Sequence, residues 1–216
     1  MDIVKNFELL NKTISKKIKI IAVSKTKSKD KILEIYNTGH RDFGENRIQE
    51  LKEKYNQLPK DIKWHMIGHV QKNKVKYIAP FIKLIHSVDS YKLLMEINKQ
   101  GEKNKRLIKC LLQIKIAKEE NKFGLFKKEA ENLLLLSNDL DNVKIIGLMG
   151  MATYTDKHEI IDKEFKEIST LFKNLKISYP QLSILSIGMS NDYLIALNNG
   201  SNMIRIGSQI FGERNK

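Results

Sequence analysis

The sequence predicts one α/β domain over residues 1–216, a single (β/α)8 TIM barrel with an extra helix at its N-terminus. Three observations carry that expectation. Short β-branched runs alternate with amphipathic helical stretches eight times in 216 residues, about 27 residues per unit. No Pro/Ser-rich linker or break in composition interrupts the alternation. Eight parallel strands are also the number at which such a sheet closes and loses both edges, which favours a closed barrel over an open doubly wound sheet.

The elements follow in order. Ile3, Val4, Phe7, Leu10 and Ile14 form a helical stripe over residues 3–16 that packs beside the first strand. The apolar run 20–23 is too short for a helix core and suits a buried strand. Ser28 offers an N-cap with Asp30 in the first turn, and Ile32, Leu33 and Tyr36 line a helix that stops at Gly39. A second strand over 43–46 leads into a helix carrying Ile48, Leu51 and Tyr55 that runs to Pro59. A third strand spans 64–68, and a basic helix over 70–79 closes before Pro80. A fourth strand, 82–88, precedes a helix over 90–100 that Gly101 ends.

In the second half, residues 108–117 read as a fifth strand, 121–125 as a loop and 129–136 as a helix. Residues 143–149 form a sixth strand. A long charged helix over 157–175 follows, with Ile161, Phe165, Ile168, Leu171 and Phe172 on one face. A seventh strand (184–187), a short helix (192–198) closed by Gly200, an eighth strand (203–206) and an apolar turn with Ile210 and Phe211 complete the chain.

The formal charge is +14, but only five of the 39 basic residues are arginine, and the lysines are spread over every segment. A nucleic-acid reader uses arginine forks in a stripe, so this composition does not point to one. The only cysteine, Cys110, sits in an apolar run and reads as a buried, inert thiol. The N-terminus lacks the basic-then-apolar layout of a signal peptide, and no apolar run approaches the ~20 residues that cross a bilayer. A soluble protein of the cytoplasm is expected.

The chemistry gathers at strand ends. On a period of two, Ile21, Val23 and Lys25 share a face, so an inward-facing first strand carries an amine to its C-terminal end, where such folds keep their ligand sites. The seventh strand ends in I-G-M-S-N-D (187–192) and the eighth in R-I-G-S-Q-I-F-G (205–212). In barrels the loops after these two strands form the recurrent phosphate site. Gly188 and Gly207 permit close backbone approach, Ser190 supplies a hydroxyl, and the amides around Gly207 and Ser208 open a helix. A lysine and a phosphate cradle facing each other across a barrel mouth describe a site for a phosphorylated aldehyde held as an imine, for which pyridoxal 5'-phosphate is the evident occupant. Arg205 is placed to face its ring nitrogen, or to serve as a salt-bridged strand residue. His65 alternates with Ile67, and lines the barrel mouth or is an ordinary core histidine. His65 and His69 are four apart, but Gly68 and the strand pattern disfavour a helical zinc pair.

Taken together, A-V-S-K-T-K (22–27), F-G-E-N (43–46), W-H-M-I-G (64–68) with Q-x-N-K (71–74), G-L-M (147–149), G-M-S-x-D (188–192) and R-I-G-x-x-I-F-G (205–212) resemble the pyridoxal phosphate homeostasis proteins, the YggS/PROSC family. The likeness covers essentially the whole chain. It implies a fold similar to the N-terminal barrel of alanine racemase and a cytoplasmic binder of pyridoxal 5'-phosphate. Carried over, Lys25 matches the imine-forming lysine and Arg205 the arginine opposite the ring nitrogen. Ser190, Gly207 and Ser208 match the phosphate loop, and Asn46 the F-G-E-N asparagine near the cofactor. His65 is transferred as a further cofactor-binding residue. Ser28, His69 and Ile187 depart from the family pattern, and none touches Lys25 or the phosphate loop. Racemisation needs a second acid/base, which the racemase takes from a second domain; the chain ends at Lys216 without one, so a carrier that delivers cofactor to recipient apoenzymes as a monomer is expected. The alternatives are a lysine-imine enzyme, either pyridoxal phosphate-dependent or aldolase-like, and a basic RNA-associated protein.

Overall fold

In the computed structural model, which describes residues 2–117 and 123–213, eight parallel strands run around a closed barrel in sequence order. They are β1 (Lys19–Val23), β2 (Asp42–Glu45), β3 (Lys63–Met66), β4 (Leu84–Val88), β5 (Ile108–Ile114), β6 (Val143–Gly150), β7 (Ile184–Met189) and β8 (Met203–Ile206). Closure is made by β8 pairing back onto β1, in register from Lys19↔Met203 to Ala22↔Ile206. Helix α1 (Ile3–Thr13) precedes the barrel. The covering helices are α2 (Lys29–Asn37), α3 (Ile48–Gln57), α4 (Tyr91–Lys103), α5 (Lys127–Leu136), α6 (His158–Ser178), α7 (Tyr193–Asn198) and α8 (Ser208–Phe211).

Two apolar regions hold it together. The larger lies between strands and helices and takes the outward strand residues such as Ala22, Phe43 and Trp64 together with the helical stripes. The smaller, Ile21, Leu84, Leu111, Met149 and Met203, fills the barrel axis. Two residues beyond Leu84, Met203 and the partly buried Ile184 that packs against this cluster, the inward positions turn polar: His86 on β4, Arg205 on β8 and Ser186 on β7 are all buried. The pleat thus builds an apolar base under a polar layer.

Most predicted elements appear within a few residues of their expected bounds, and one differs in kind. The basic helix over 70–79 is a 3-10 segment, Lys72–Tyr77. Only Val75, Ile78 and Ala79 need covering in its second half, and the i, i+3 spacing of the first two suits a tight turn between Gly68 and Pro80. Gly101 does not end its helix. A Cβ there would lie 2.5 Å from the Asn142 carbonyl, so the glycine admits a close crossing, and α4 continues to Lys103. The predicted loop 121–125 falls partly outside the described residues; within them, Leu125 bridges to Ile114. Among the described residues no helix is long and apolar enough to cross a membrane.

Candidate functional site

A cavity of about 560 Å³ opens at the C-terminal ends of the strands, where barrel folds keep their ligand sites. Lys25 reaches it from a turn, not from the strand itself. β1 ends at Val23, Ser24 N–H donates to the Gly44 carbonyl at 3.1 Å, and Lys27 N–H donates back to the Ser24 carbonyl at 3.0 Å. Thr26 is forced to φ +64°, a left-handed conformation that a β-branched residue adopts only under constraint.

That constraint is a buried ionic clamp on both neighbours of Lys25. Lys54 Nζ donates to the Ser24 carbonyl (2.8 Å), Glu45 Oε1 (2.8 Å) and Glu50 Oε1 (2.7 Å). Glu50 Oε1 also accepts the Thr26 N–H at 2.6 Å, and Ser24 Oγ donates to Glu45 Oε1 at 2.6 Å. Burial pushes the Glu45 carboxyl up to about 7, against the pull of the Lys54 ammonium and its hydrogen bond. Lys54 carried no signal in the sequence and Glu45 only its place in F-G-E-N, because their pairing forms only when β2 packs on α3.

At the end of β7, which β8 separates from β1 in the closed barrel, the chain turns through Gly188, at φ +98°. Asp192 Oδ1 accepts the Met189 N–H at 2.5 Å, and Ser190 Oγ accepts the Gly207 N–H at 3.2 Å, tying the two loops together. The Gly207 amide is therefore paired within the protein. Among the described residues, the next two amides, Ser208 and Gln209, have no acceptor. Arg205, on β8, is buried on the floor of the cavity. Its Nη1 donates to the Ser186 carbonyl (2.6 Å) and Ser186 Oγ (2.8 Å), and its Nη2 to the Gly150 carbonyl (2.9 Å). Burial lowers its pKa to about 10, with Asp192 pulling the other way, so it stays cationic at neutral pH.

Six residues singled out in the sequence thus face one space: Lys25, Asn46, Ser190, Arg205, Gly207 and Ser208. His65 does not reach it. A period of two gave its face and left its depth open. Ile67 lines the cavity, while His65 sits one step lower in the barrel, 2% exposed, bonded to His86 and Asp42.

A family model for the alanine racemase N-terminal domain matches residues 2–215. The pyridoxal phosphate homeostasis protein of Aquifex aeolicus is 38% identical over 198 residues, spanning 91% of this chain and 87% of its own. Its Helicobacter pylori counterpart is 39% identical over 199 residues, 91% of this chain and 88% of its own. The chain belongs to the pyridoxal phosphate homeostasis protein family. Among solved structures, PipY of Synechococcus elongatus PCC7942 with PLP bound aligns at a TM-score of 0.89 and 32% identity, covering 98% of this chain and all of PipY. An alanine racemase of Clostridium difficile 630 shares the fold, with a TM-score of 0.76 at 14% identity over all of this chain and 58% of its own.

This homeostasis-family protein also lines its cavity with residues beyond those six. Lys27 is one; its Nζ donates to the carbonyls of Phe211 (3.2 Å) and Gly212 (3.4 Å). The loop after β6 is another: Thr153, Tyr154 and Thr155 form a wall, anchored where Glu164 on α6 accepts both the Thr153 N–H and its hydroxyl at 2.7 Å. The signal available was positional, since every βα loop of a barrel borders the same mouth.

Proposed function

We propose that this protein binds pyridoxal 5'-phosphate at the barrel mouth, anchors it covalently through Lys25, and serves intracellular vitamin B6 homeostasis by passing it to recipient apoenzymes, without substantial racemase activity. The observation that carries the reading is the convergence of Lys25, Arg205 and the loops after β7 and β8 on one cavity. Membership of the family, and the PLP bound by PipY, support it. The residues present fit such a group: three cationic side chains, Lys25, Lys27 and Arg205, border a cavity that also meets the open amide of Ser208.

In this reading Ser190, Gly207 and Ser208 hold the phosphate, Asn46 lies beside the ring and Arg205 faces its nitrogen. When bound, the cofactor supplies an aldehyde with which a primary amine condenses, releasing one water. The clamp on Ser24 and Thr26 fixes the amine that does so. Arg205 keeps its own proton and places a cation where a carrier benefits and an enzyme does not, because a ring nitrogen left unprotonated is a weak electron sink. That favours holding the cofactor over turning over amino acids.

The test is optical and chemical. Protein loaded with pyridoxal 5'-phosphate is expected to be yellow, and Lys25→Ala to lose the near-visible band. Borohydride reduction followed by peptide mapping places the adduct on Lys25; an adduct on Lys27, or none, overturns the assignment.

A further inference from the structure

A chain of buried hydrogen bonds runs down the barrel from the cavity floor to the far end. Arg205 Nη1 donates to Ser186 Oγ at 2.8 Å, Ser186 Oγ lies 3.3 Å from His86 Nδ1, His86 Nε2 lies 2.9 Å from His65 Nδ1, and His65 Nε2 lies 3.0 Å from Asp42 Oδ1. Arg205, Ser186, His86 and His65 are each no more than 4% exposed. Water is excluded, so the polar atoms along the chain must satisfy one another.

The direction of every bond then follows from one end. Asp42 is a carboxylate that only accepts: burial raises its pKa, but the hydrogen bond from His65, the charge of that ring when protonated and the Lys19 ammonium outweigh it and take the carboxyl down to about 2. His65 must therefore donate from Nε2, which leaves its Nδ1 bare in a neutral ring. His86 must donate from Nε2 to that atom, which bares its own Nδ1. Ser186 must donate its hydroxyl there, and its oxygen is free to accept from Arg205. Burial holds both imidazoles below their ordinary pKa, the His86 ring most strongly, consistent with two neutral rings. The ionisable groups around this chain are Lys19, Lys83, His40 and Asp42 toward the His65 end, and Arg205 with Asp192 toward the cavity.

Among the described residues, no carboxylate forms an ion pair with Arg205, and its hydrogen-bond partners are all neutral. We infer that Asp42, His65, His86 and Ser186 form a one-way relay that orients Arg205, making them positioning residues for the ligand site. The relay is a property of the protein without ligand; only its consequence for pyridoxal 5'-phosphate rests on the function proposed above. An extra proton would undo it without moving a heavy atom. Protonated His65 donates from both nitrogens, His86 is forced to accept at Nε2 and carry its proton on Nδ1, and the Ser186 hydroxyl proton loses its acceptor beside Arg205.

The decisive measurement is nitrogen-15 NMR of the histidine rings in the full, ligand-free chain. At pH 7 both His65 and His86 are expected neutral with the proton on Nε2; a proton on His86 Nδ1, or a doubly protonated ring, overturns the relay. A second arm uses Ser186→Ala, which keeps the backbone carbonyl bonded to Arg205 but removes the hydroxyl. It is expected to bind pyridoxal 5'-phosphate about tenfold more weakly, the worth of one buried hydrogen bond in such a network, and to release His86 into a mixture of tautomers. Unchanged affinity with unchanged ring signals overturns the positioning claim. If the wild-type chain does not bind the cofactor at all, the cofactor reading fails, and the wild-type ring tautomers alone decide the relay.

Discussion

Lys25 occupies the cavity because its neighbours are held, and the same holds for Ser190 on the loop after β7. Ser190 follows two residues after Gly188, whose φ of +98° makes the turn. A Cβ at Gly188 would lie 2.6 Å from the Ala196 Cβ and 3.0 Å from the Tyr193 Cα, inside the packing of α7. Gly188→Ala is therefore expected to lose about 2–4 kcal/mol in urea unfolding, from left-handed strain and the clash together. It should also weaken pyridoxal 5'-phosphate binding, because α7 can relieve the clash only by displacing Ser190. At this scale the sequence was informative where a residue's role depends on its chain neighbours. G-M-S-x-D and R-I-G-S announce a turn, a hydroxyl and open amides. It was uninformative where the role depends on depth. His65 and Ile67 share a face, and nothing in their spacing says that only Ile67 reaches the mouth.

At the scale of elements, the turn between β1 and α2 is held from outside the barrel by Lys54, Glu45 and Glu50, all on β2 and α3. Lys54→Met removes the cation and leaves Glu45, whose side chain is fully buried, without its counter-charge. A buried pair broken in this way costs about 3–5 kcal/mol while the remaining charge stays ionised. The cost depends on pH. The Glu45 carboxyl titrates above its unfolded value, at about 7, so the folded state holds a proton that the unfolded state has released, and stability falls as pH rises from about 4.5 to 7. Without Lys54 the folded value climbs further and this window extends upward. Urea unfolding should thus show a larger deficit for Lys54→Met at pH 8 than at pH 6; equal deficits would mean that the clamp is not ionic. Helices and strands themselves were legible because each carries its own period and punctuation, as Ser28 and Gly39 do for α2. The clamp was not, because Lys54 reads as one more solvated lysine on an exposed helix face until the β1 turn is folded over it. The stretch 72–77 shows the complementary failure: its spacing fits two helical periods, and only the short span to Pro80 selects the tighter one.

For the molecule as a whole, closure leaves one side of the barrel thinly covered, since the last helix, α8, has only four residues. α1 fills that place. Its buried face, Ile3, Phe7 and Leu10, joins the layer outside β1 and β8, and Asn6 Nδ2 donates to the Ile210 carbonyl at 3.4 Å. Phe7 also packs on His40 with ring centroids 4.8 Å apart. The extra helix expected from the sequence thus completes the barrel wall behind the loop after β8. Phe7→Ala opens a cavity in that wall and is expected to cost about 3–5 kcal/mol in denaturant unfolding. Because α8 begins at Ser208, on the rim of the cavity, the same variant should bind pyridoxal 5'-phosphate more weakly under conditions where it remains folded, while borohydride still places the adduct on Lys25. Lost stability with undiminished affinity would show that β8 alone fixes the loop that follows it. Loss of both, with the lysine unaffected, would show that the two halves of the site are supported independently: the amine by the clamp on β2 and α3, the anion by a helix that precedes the first strand.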